Sequence, residues 1–329
     1  MTGENFNGPI LDVDDLSVSF YLPDSVVRAV RSCSFHVDRG RTLGLVGESG
    51  CGKSVSAYSI MRLVSPPGII DSGEVRYRGR DLLGLDNDEM RKMRGAEIAM
   101  IFQEPMSSLN PVFRIGYQIS ESLRLHLGMS PSEARERAVD LLGTVGIPSP
   151  AKRYDSYPHE FSGGMRQRVM IAIALSASPS LLIADEPTTA LDVTIQAQIL
   201  DLLVKLQEDR DMSLLLITHD LGIVASVADS IAIMYAGEIV EYGSTSDIFT
   251  SPLHPYTRGL FDAVPRIGEN RDKLSTIPGV VPAITETPSG CVFYPRCAYG
   301  TEECLRGPVS LTEYGGNGHR ARCVRAGRL

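Results

Sequence analysis

The chain has 329 residues, 43% of them apolar, and a formal net charge of −8. That length can bury a sizeable core and allows two domains, or one domain with an extension. The acidic balance speaks against nucleic acid or an anionic lipid surface as main partner, and no apolar run is long enough to cross a bilayer, the longest being Val169 to Ala177 and Ser213 to Ile217.

Met1 to Asp15 is acidic and has neither a basic nor an apolar stretch, so nothing directs the chain to secretion and the cytosol is the expected compartment. Six cysteines then have to be explained without stable disulfides. Residues 10 to 37 alternate apolar and polar with β-branched enrichment, broken at Pro23-Asp24-Ser25, which predicts a strand, a turn and a second strand over Val26 to Val37. Phe20 or the adjacent Tyr21 is suited either to stack on an adenine face or to pack in this sheet. Thr42 to Val46 reads as a buried strand. It feeds Gly47-Glu48-Ser49-Gly50-Cys51-Gly52-Lys53-Ser54, a match to G-x-x-x-x-G-K-[ST]. Glycines let such a loop curl its N–H groups toward one anion. The lysine adds a point charge for the β- and γ-phosphates and the serine a hydroxyl for Mg²⁺, while a helix expected over Lys53 to Val64 points its positive end at the phosphates.

Gly68 and Ser72-Gly73 read as bracketing a turn before an edge strand over Glu74 to Arg80. Ile98 to Phe102 suits a fully buried parallel strand, which ends on Gln103-Glu104-Pro105. From there to Pro158 the spacing becomes helical, with Ser130-Pro131-Ser132-Glu133 as a start signal and Ala138, Leu141, Leu142 and Val145 on one face. Phe161-Ser162-Gly163-Gly164-Met165-Arg166-Gln167 then opens a second helix with exposed backbone donors. Leu181 to Glu186 is a buried strand whose exit carries two carboxylates, Asp185 and Glu186. A turn through Pro187 to Asp192 follows, then a helix to about Arg210 and a strand over Ser213 to Thr218 ending on His219-Asp220. Alternating strands and helices imply a mostly parallel α/β sheet with polar groups at the strand C-termini.

Together, the Gly47 to Ser54 loop, Gln103, Phe161 to Gln167, Leu181 to Pro187, Ala190-Leu191-Asp192 and His219 resemble the nucleotide-binding subunit of an ATP-binding cassette (ABC) transporter, in order and spacing over residues 10 to 250. The resemblance implies a P-loop NTPase core of ABC type, α/β, with a β-rich N-terminal lobe and a helical subdomain inserted at about 104–178, all within 1–250, and a loop-rich extension over 251–329. Nucleotide contacts fall on Phe20, Gly47, Ser49, Gly50, Cys51, Gly52, Lys53, Ser54 and Val55, with no chemistry assigned to the Cys51 thiol. Ser54 and Gln103 approach Mg²⁺ directly and Asp185 through water, as hard oxygen donors suit that ion. Glu186 polarises the attacking water and His219 contacts the γ-phosphate; a solvated strand-end carboxylate and a core histidine are the plainer alternatives. Ser162, Gly163 and Gly164 close over the nucleotide of a second ATPase subunit, and Asp192 is a further nucleotide-binding residue. Phe161 and Met165 depart from the family's LSGGQ pattern, whereas Ser162 and Gly164 keep its donors.

The same resemblance implies a second, non-identical ATPase subunit, two membrane permease subunits, an extracytoplasmic binding protein, no nucleic-acid partner, and a place on the cytoplasmic face of the membrane. The proline-rich stretches Ser251 to Thr257 and Ile277 to Pro282, and Gly290 to Cys297, look like the tail of the dipeptide and oligopeptide importers, a branch that includes nickel and some oligosaccharide importers. A non-transport ABC ATPase acting on nucleic acid or ribosomes is the rival from another class, disfavoured by the single cradle and modest insertion. Cys291, Cys297, Cys304 and Cys323 crowd a segment too poor in apolar residues for a core of its own. Their spacing lacks the paired arms of common zinc sites; resemblance to related importers suggests a [4Fe-4S] cluster, with buried thiols as the alternative. Cys33 stands alone.

Overall fold

The computed structural model describes residues 8–103, 108–189, 191–263, 277–282, 285 and 289–328. Glu104, Pro105 and Ala190, used in the sequence reading, lie outside them. The chain divides into two compact units, one of Met1–Asp38, Thr42–Leu83 and Leu216–Leu329, the other of Arg39–Arg41 and Gly84–Leu215.

The first unit opens with β1 (Leu11–Leu22) and β2 (Ser25–Val37), an antiparallel hairpin, followed by β3 (Thr42–Val46), α1 (Lys53–Ile60), β4 (Gly68–Tyr77) and β5 (Arg80–Asp81). The antiparallel sheet runs β2-β1-β4-β5. Here the expected turn at Gly68 to Gly73 is absent: the glycines lie inside β4, which pairs with β1 on one side and β5 on the other. Gly73 explains the misreading. It sits at φ 103°, where a Cβ would lie 2.5 Å from the Leu16 Cα, so its glycine serves a bulge in the ladder rather than a chain reversal. Helix α1 also stops four residues short of the expected Val64.

The second unit holds α2 (Asn87–Met93), β6 (Ile98–Ile101), α3 (Ile115–Leu127), α4 (Pro131–Thr144), α5 (Pro150–Arg153), α6 (Gly163–Ala174), β7 (Leu181–Asp185) and α7 (Val193–Asp209). Strands β6 and β7 pair in parallel, Ile98 beside Leu181 through Ile101 beside Ala184, and both are buried throughout. Continuous apolar runs follow from having both faces covered. Ser130 caps α4 in a capping box with Glu133, and Ala138, Leu141, Leu142 and Val145 are buried as their spacing predicts.

Strand β8 (Ser213–Thr218) carries the chain back into the first unit. There follow α8 (Leu221–Val227), β9 (Ser230–Tyr235), β10 (Glu238–Ser244), α9 (Thr245–Thr250), α10 (Pro255–Ala263), and the two-residue strands β11 (Thr312–Glu313) and β12 (Arg320–Ala321). Strand β3 pairs in parallel with β9, which turns antiparallel into β10, and β12 adds to the far edge of β10. Part of the C-terminal segment shares the core of the first unit, while Ala321, Cys323 and Ala326 form a small cluster of their own with Leu253 and Tyr314. Tyr256, Val292 and Phe293 enter the cluster formed by Val46, Ile231, Ile233 and Tyr235, and the rings of Tyr235, Tyr256 and Phe293 lie 4.7 to 5.4 Å apart.

Candidate nucleotide site

The loop from Gly47 joins β3 to α1 and is shaped by close backbone approach. At Gly47 a Cβ would lie 2.2 Å from the Met234 carbonyl oxygen; at Gly52, which sits at φ 110°, it would lie 2.4 Å from that of Ala29. No side chain larger than hydrogen fits either position without moving backbone. Gly50, at φ 78°, faces open space. Helix α1 has no side-chain cap and no acidic residue in its first turn. By contrast α2, α4, α6, α7, α8 and α9 each receive a cap from Asp or Ser. An N-terminus left to its backbone donors is what an anion requires.

Lys53 is 5% exposed, and its ammonium donates to the Gly47 and Glu48 carbonyl oxygens at 2.8 and 3.0 Å, with the Cys51 sulfur at 3.8 Å. Ser54 and Val55, in the first turn of α1, are half-buried. Burial pushes the Cys51 thiol up, against the pull of Lys53. Phe20 sits half-buried on β1 against Gly68, whereas Tyr21 is exposed and its hydroxyl donates to Asp71 at 2.9 Å. His219, just past β8, is exposed and does not behave as a core histidine.

In the second unit β7 delivers Asp185, fully buried, and then Glu186 at φ 45°. A non-glycine residue in the left-handed region is strained, and strain of this kind gathers at functional sites. Glu186 is fixed there: the Gln103 amide nitrogen donates to its Oε2 at 3.0 Å and the Thr189 hydroxyl donates to the same oxygen at 2.8 Å. Gln103 and Glu186, 83 positions apart, are thereby brought together. The Gln103 carbonyl oxygen, the atom suited to a hard cation, takes no part in that bond.

Ser162 caps α6 by accepting from the Met165 N–H at 3.4 Å, and Ser162 and Gly163 are exposed. Gly164 packs on α7, where a Cβ would lie 2.7 Å from the Ile195 Cγ2. Asp192 caps α7 from the Ile195 N–H at 3.0 Å.

Residues 30–189 match the family profile described as ABC transporter, and residues 240–304 that of the oligopeptide/dipeptide transporter, C-terminal region. The chain is 49% identical to the dipeptide transport ATP-binding protein DppD of Escherichia coli (strain K12), over 95% of this chain and 96% of that protein. The chain belongs to the ABC transporter family. It is also 53% identical to the oligopeptide transport ATP-binding protein OppD of Bacillus subtilis (strain 168), over 88% of this chain and 82% of that one. The solved dimeric structure of the bacterial ABC transporter cassette MJ0796 superposes with a TM-score of 0.65 at 27% identity, covering 71% of this chain and 98% of the cassette. The same cassette was solved in a post-hydrolysis state bound to ADP and Pi, with a TM-score of 0.64.

For this ABC protein the expectation of an iron–sulfur cluster in the tail fails. Among the described residues no group of three or more His, Cys, Asp or Glu is placed to hold a metal ion, and DppD and OppD are described as ATP-binding proteins. Cys291, Cys297, Cys304 and Cys323 do line one small pocket with Phe293 and Tyr294, so the crowding seen in the sequence is real. Burial pushes Cys291 up to about 12 and raises Cys297 and Cys323. Cys304 lies 3.7 Å from the Thr301 hydroxyl, and the Cys323 sulfur accepts from the Arg325 N–H at 3.4 Å.

Three residues were missed by sequence reasoning, and two of them touch the cradle. The Tyr256 hydroxyl accepts from the Glu48 N–H at 3.1 Å, and Arg296 donates to both Glu48 carboxylate oxygens, at 2.9 and 3.3 Å. Burial and the Glu48 charge raise the Tyr256 phenol far above its usual range. Glu241, fully buried on β10, accepts from the Leu253 and His254 N–H groups and from the His319 ring. The signal was available in the sequence: Glu241 stands between Val240 and Tyr242 in the middle of a strand, and Arg296 sits between aromatics and cysteines in a proline turn.

Proposed function

We propose that this protein is the ATP-hydrolysing subunit of an importer of dipeptides or oligopeptides, paired with a second cassette and docked on a membrane permease. Residues 1–250 form the cassette and 251–329 the extension of the peptide-importer branch. The names of DppD and OppD as peptide transport proteins and the match of residues 240–304 support the peptide class. Among the described residues no helix is long and apolar enough to cross a membrane. The protein works from the permease's cytoplasmic face and powers passage of solute that an extracytoplasmic binding protein delivers to the permease. Exposed Val112, Phe113 and Tyr117, in and beside α3, offer the apolar surface for that docking.

The chemistry follows from charge placement. Lys53 and the backbone donors of Gly50 to Ser54 hold the triphosphate, and Phe20 or Tyr21 backs the base. Ser54, Gln103 and Asp185 are the residues that would hold Mg²⁺, each offering the hard oxygen that ion takes, and the ion would offset charge on the phosphate oxygens. Glu186 takes up the polarising role toward the attacking water, and His219 orients the γ-phosphate. Ser162, Gly163 and Gly164, with Asp192 holding the start of α7, serve as a lid for the partner's nucleotide. One observation carries the reading: the glycine-shaped loop with its uncapped helix, in a chain whose Glu186 is pinned at a strained strand exit. Reconstitution into vesicles with its permease, partner ATPase and binding protein tests it. ATP-dependent uptake of a labelled dipeptide is expected; ATP hydrolysis accompanied by uptake of nickel or oligosaccharide alone would overturn the peptide assignment.

A further inference from the structure

Glu48 occupies a position of the phosphate loop where the motif makes no demand on residue type, yet the fold grips it from three directions. Its carbonyl oxygen accepts from Lys53 at 3.0 Å and its N–H donates to Tyr256 at 3.1 Å. Its carboxylate is clasped by Arg296 through two donors, a planar fork that matches carboxylate geometry. Arg296 is itself locked. Its side chain is 6% exposed, its Nε donates to the Pro278 carbonyl at 2.9 Å and its Nη2 to that of Ile277 at 3.2 Å, and its guanidinium lies 5.7 Å from the Tyr235 ring centroid. Tyr235 ends β9, the strand beside β3, so the clasp is anchored on the same sheet that launches the loop.

We infer that Arg296 is a positioning residue for ATP: it turns the Glu48 carboxylate into a neutralised strut that holds Lys53 and the loop in binding geometry, making the C-terminal extension part of the nucleotide site. Two effects act together. An unpaired carboxylate in a loop that must accept a polyanion repels it, and the low local dielectric magnifies the repulsion. The Glu48 backbone also carries one of the acceptors that fix the Lys53 ammonium, so a loop without the clasp presents that charge in a looser position. A chain cut before Ile277 would keep every motif residue of the cassette and lose this support.

The inference rests on ATP binding at this loop, and the test separates the two. ATP hydrolysis by the assembled importer is measured for the unaltered protein and for R296Q, R296K and the double variant E48Q/R296Q. R296Q should raise KM for ATP about tenfold, with kcat changing far less. R296K keeps the charge but not the fork and should fall between. E48Q/R296Q, which also removes the repelling carboxylate, should recover most of the lost affinity. A purely structural role for Arg296 would leave the double variant no better than R296Q, and that result, or an unchanged KM in both single variants, overturns the inference. Should R296Q fail to assemble, R296K against the unaltered protein still decides it by its KM. Failure of the unaltered protein itself to bind ATP would instead overturn the nucleotide reading.

Discussion

Replacing Glu241 by leucine should destabilise the first unit severely, because this carboxylate is where the extension is tied to β10. The side chain is 0% exposed and takes three hydrogen bonds: from the Leu253 N–H at 2.7 Å, the His254 N–H at 2.9 Å and the His319 Nε2 at 2.8 Å. Leucine preserves volume but leaves three buried donors without an acceptor. Each such donor costs roughly 1–3 kcal/mol, so a loss of about 3–9 kcal/mol is expected, offset slightly by the easier burial of an apolar group. That is a large part of a typical domain's total of about 5–15 kcal/mol. Glutamine keeps one acceptor oxygen and should cost about 1–3 kcal/mol. Urea unfolding followed by tyrosine fluorescence, together with limited proteolysis after residue 250, measures both. A Glu241→Leu protein within about 0.5 kcal/mol of the unaltered one, the scatter of ordinary surface substitutions, would refute the reasoning.

His254 makes stability depend on pH. Burial lowers its pKa from 6.5 to about 4, so between those values the unfolded chain binds a proton that the folded chain refuses, and stability falls as pH drops from about 6.5 toward 4, by on the order of 3 kcal/mol in all. Urea midpoints taken across that window should show the slope in the unaltered protein and a flatter one in His254→Asn, whose amide oxygen can still accept from the Tyr256 N–H as the ring does at 3.1 Å; equal slopes would count against it. Gly52→Ala places a methyl 2.4 Å from the Ala29 carbonyl oxygen at φ 110°, and the loop must rearrange. ATP binding measured by calorimetry should fall at least tenfold, a strain of about 1–3 kcal/mol; unchanged affinity would show that the loop tolerates other shapes.

The site was legible where chemistry forces residue type. The phosphate loop, the paired carboxylates after β7 and the serine before two glycines announce themselves because no other side chains supply those donors and charges at those spacings. Buried strands were legible too, since β3, β6, β7 and β8 are buried on both faces and read as largely apolar runs. What stayed hidden was non-local. Gly68 and Gly73 looked like a turn because a bulge and a reversal both call for glycine, and only pairing with β1 distinguishes them. The Glu48–Arg296 pair spans 248 positions and leaves no periodic trace. The four tail cysteines illustrate the opposite error: their crowding was visible, but crowding in sequence does not fix the mutual approach a metal requires, and among the described residues no group of three or more ligands is so placed.

The account turns on Glu186 acting on ATP held by the Gly47 to Ser54 loop. In the assembled importer, single-turnover hydrolysis with Glu186→Gln measures this directly: ATP should bind with unaltered stoichiometry while its cleavage slows by about 10²–10⁴-fold, the usual contribution of a positioned general base. Cleavage at the unaltered rate, with nucleotide bound, would contradict it.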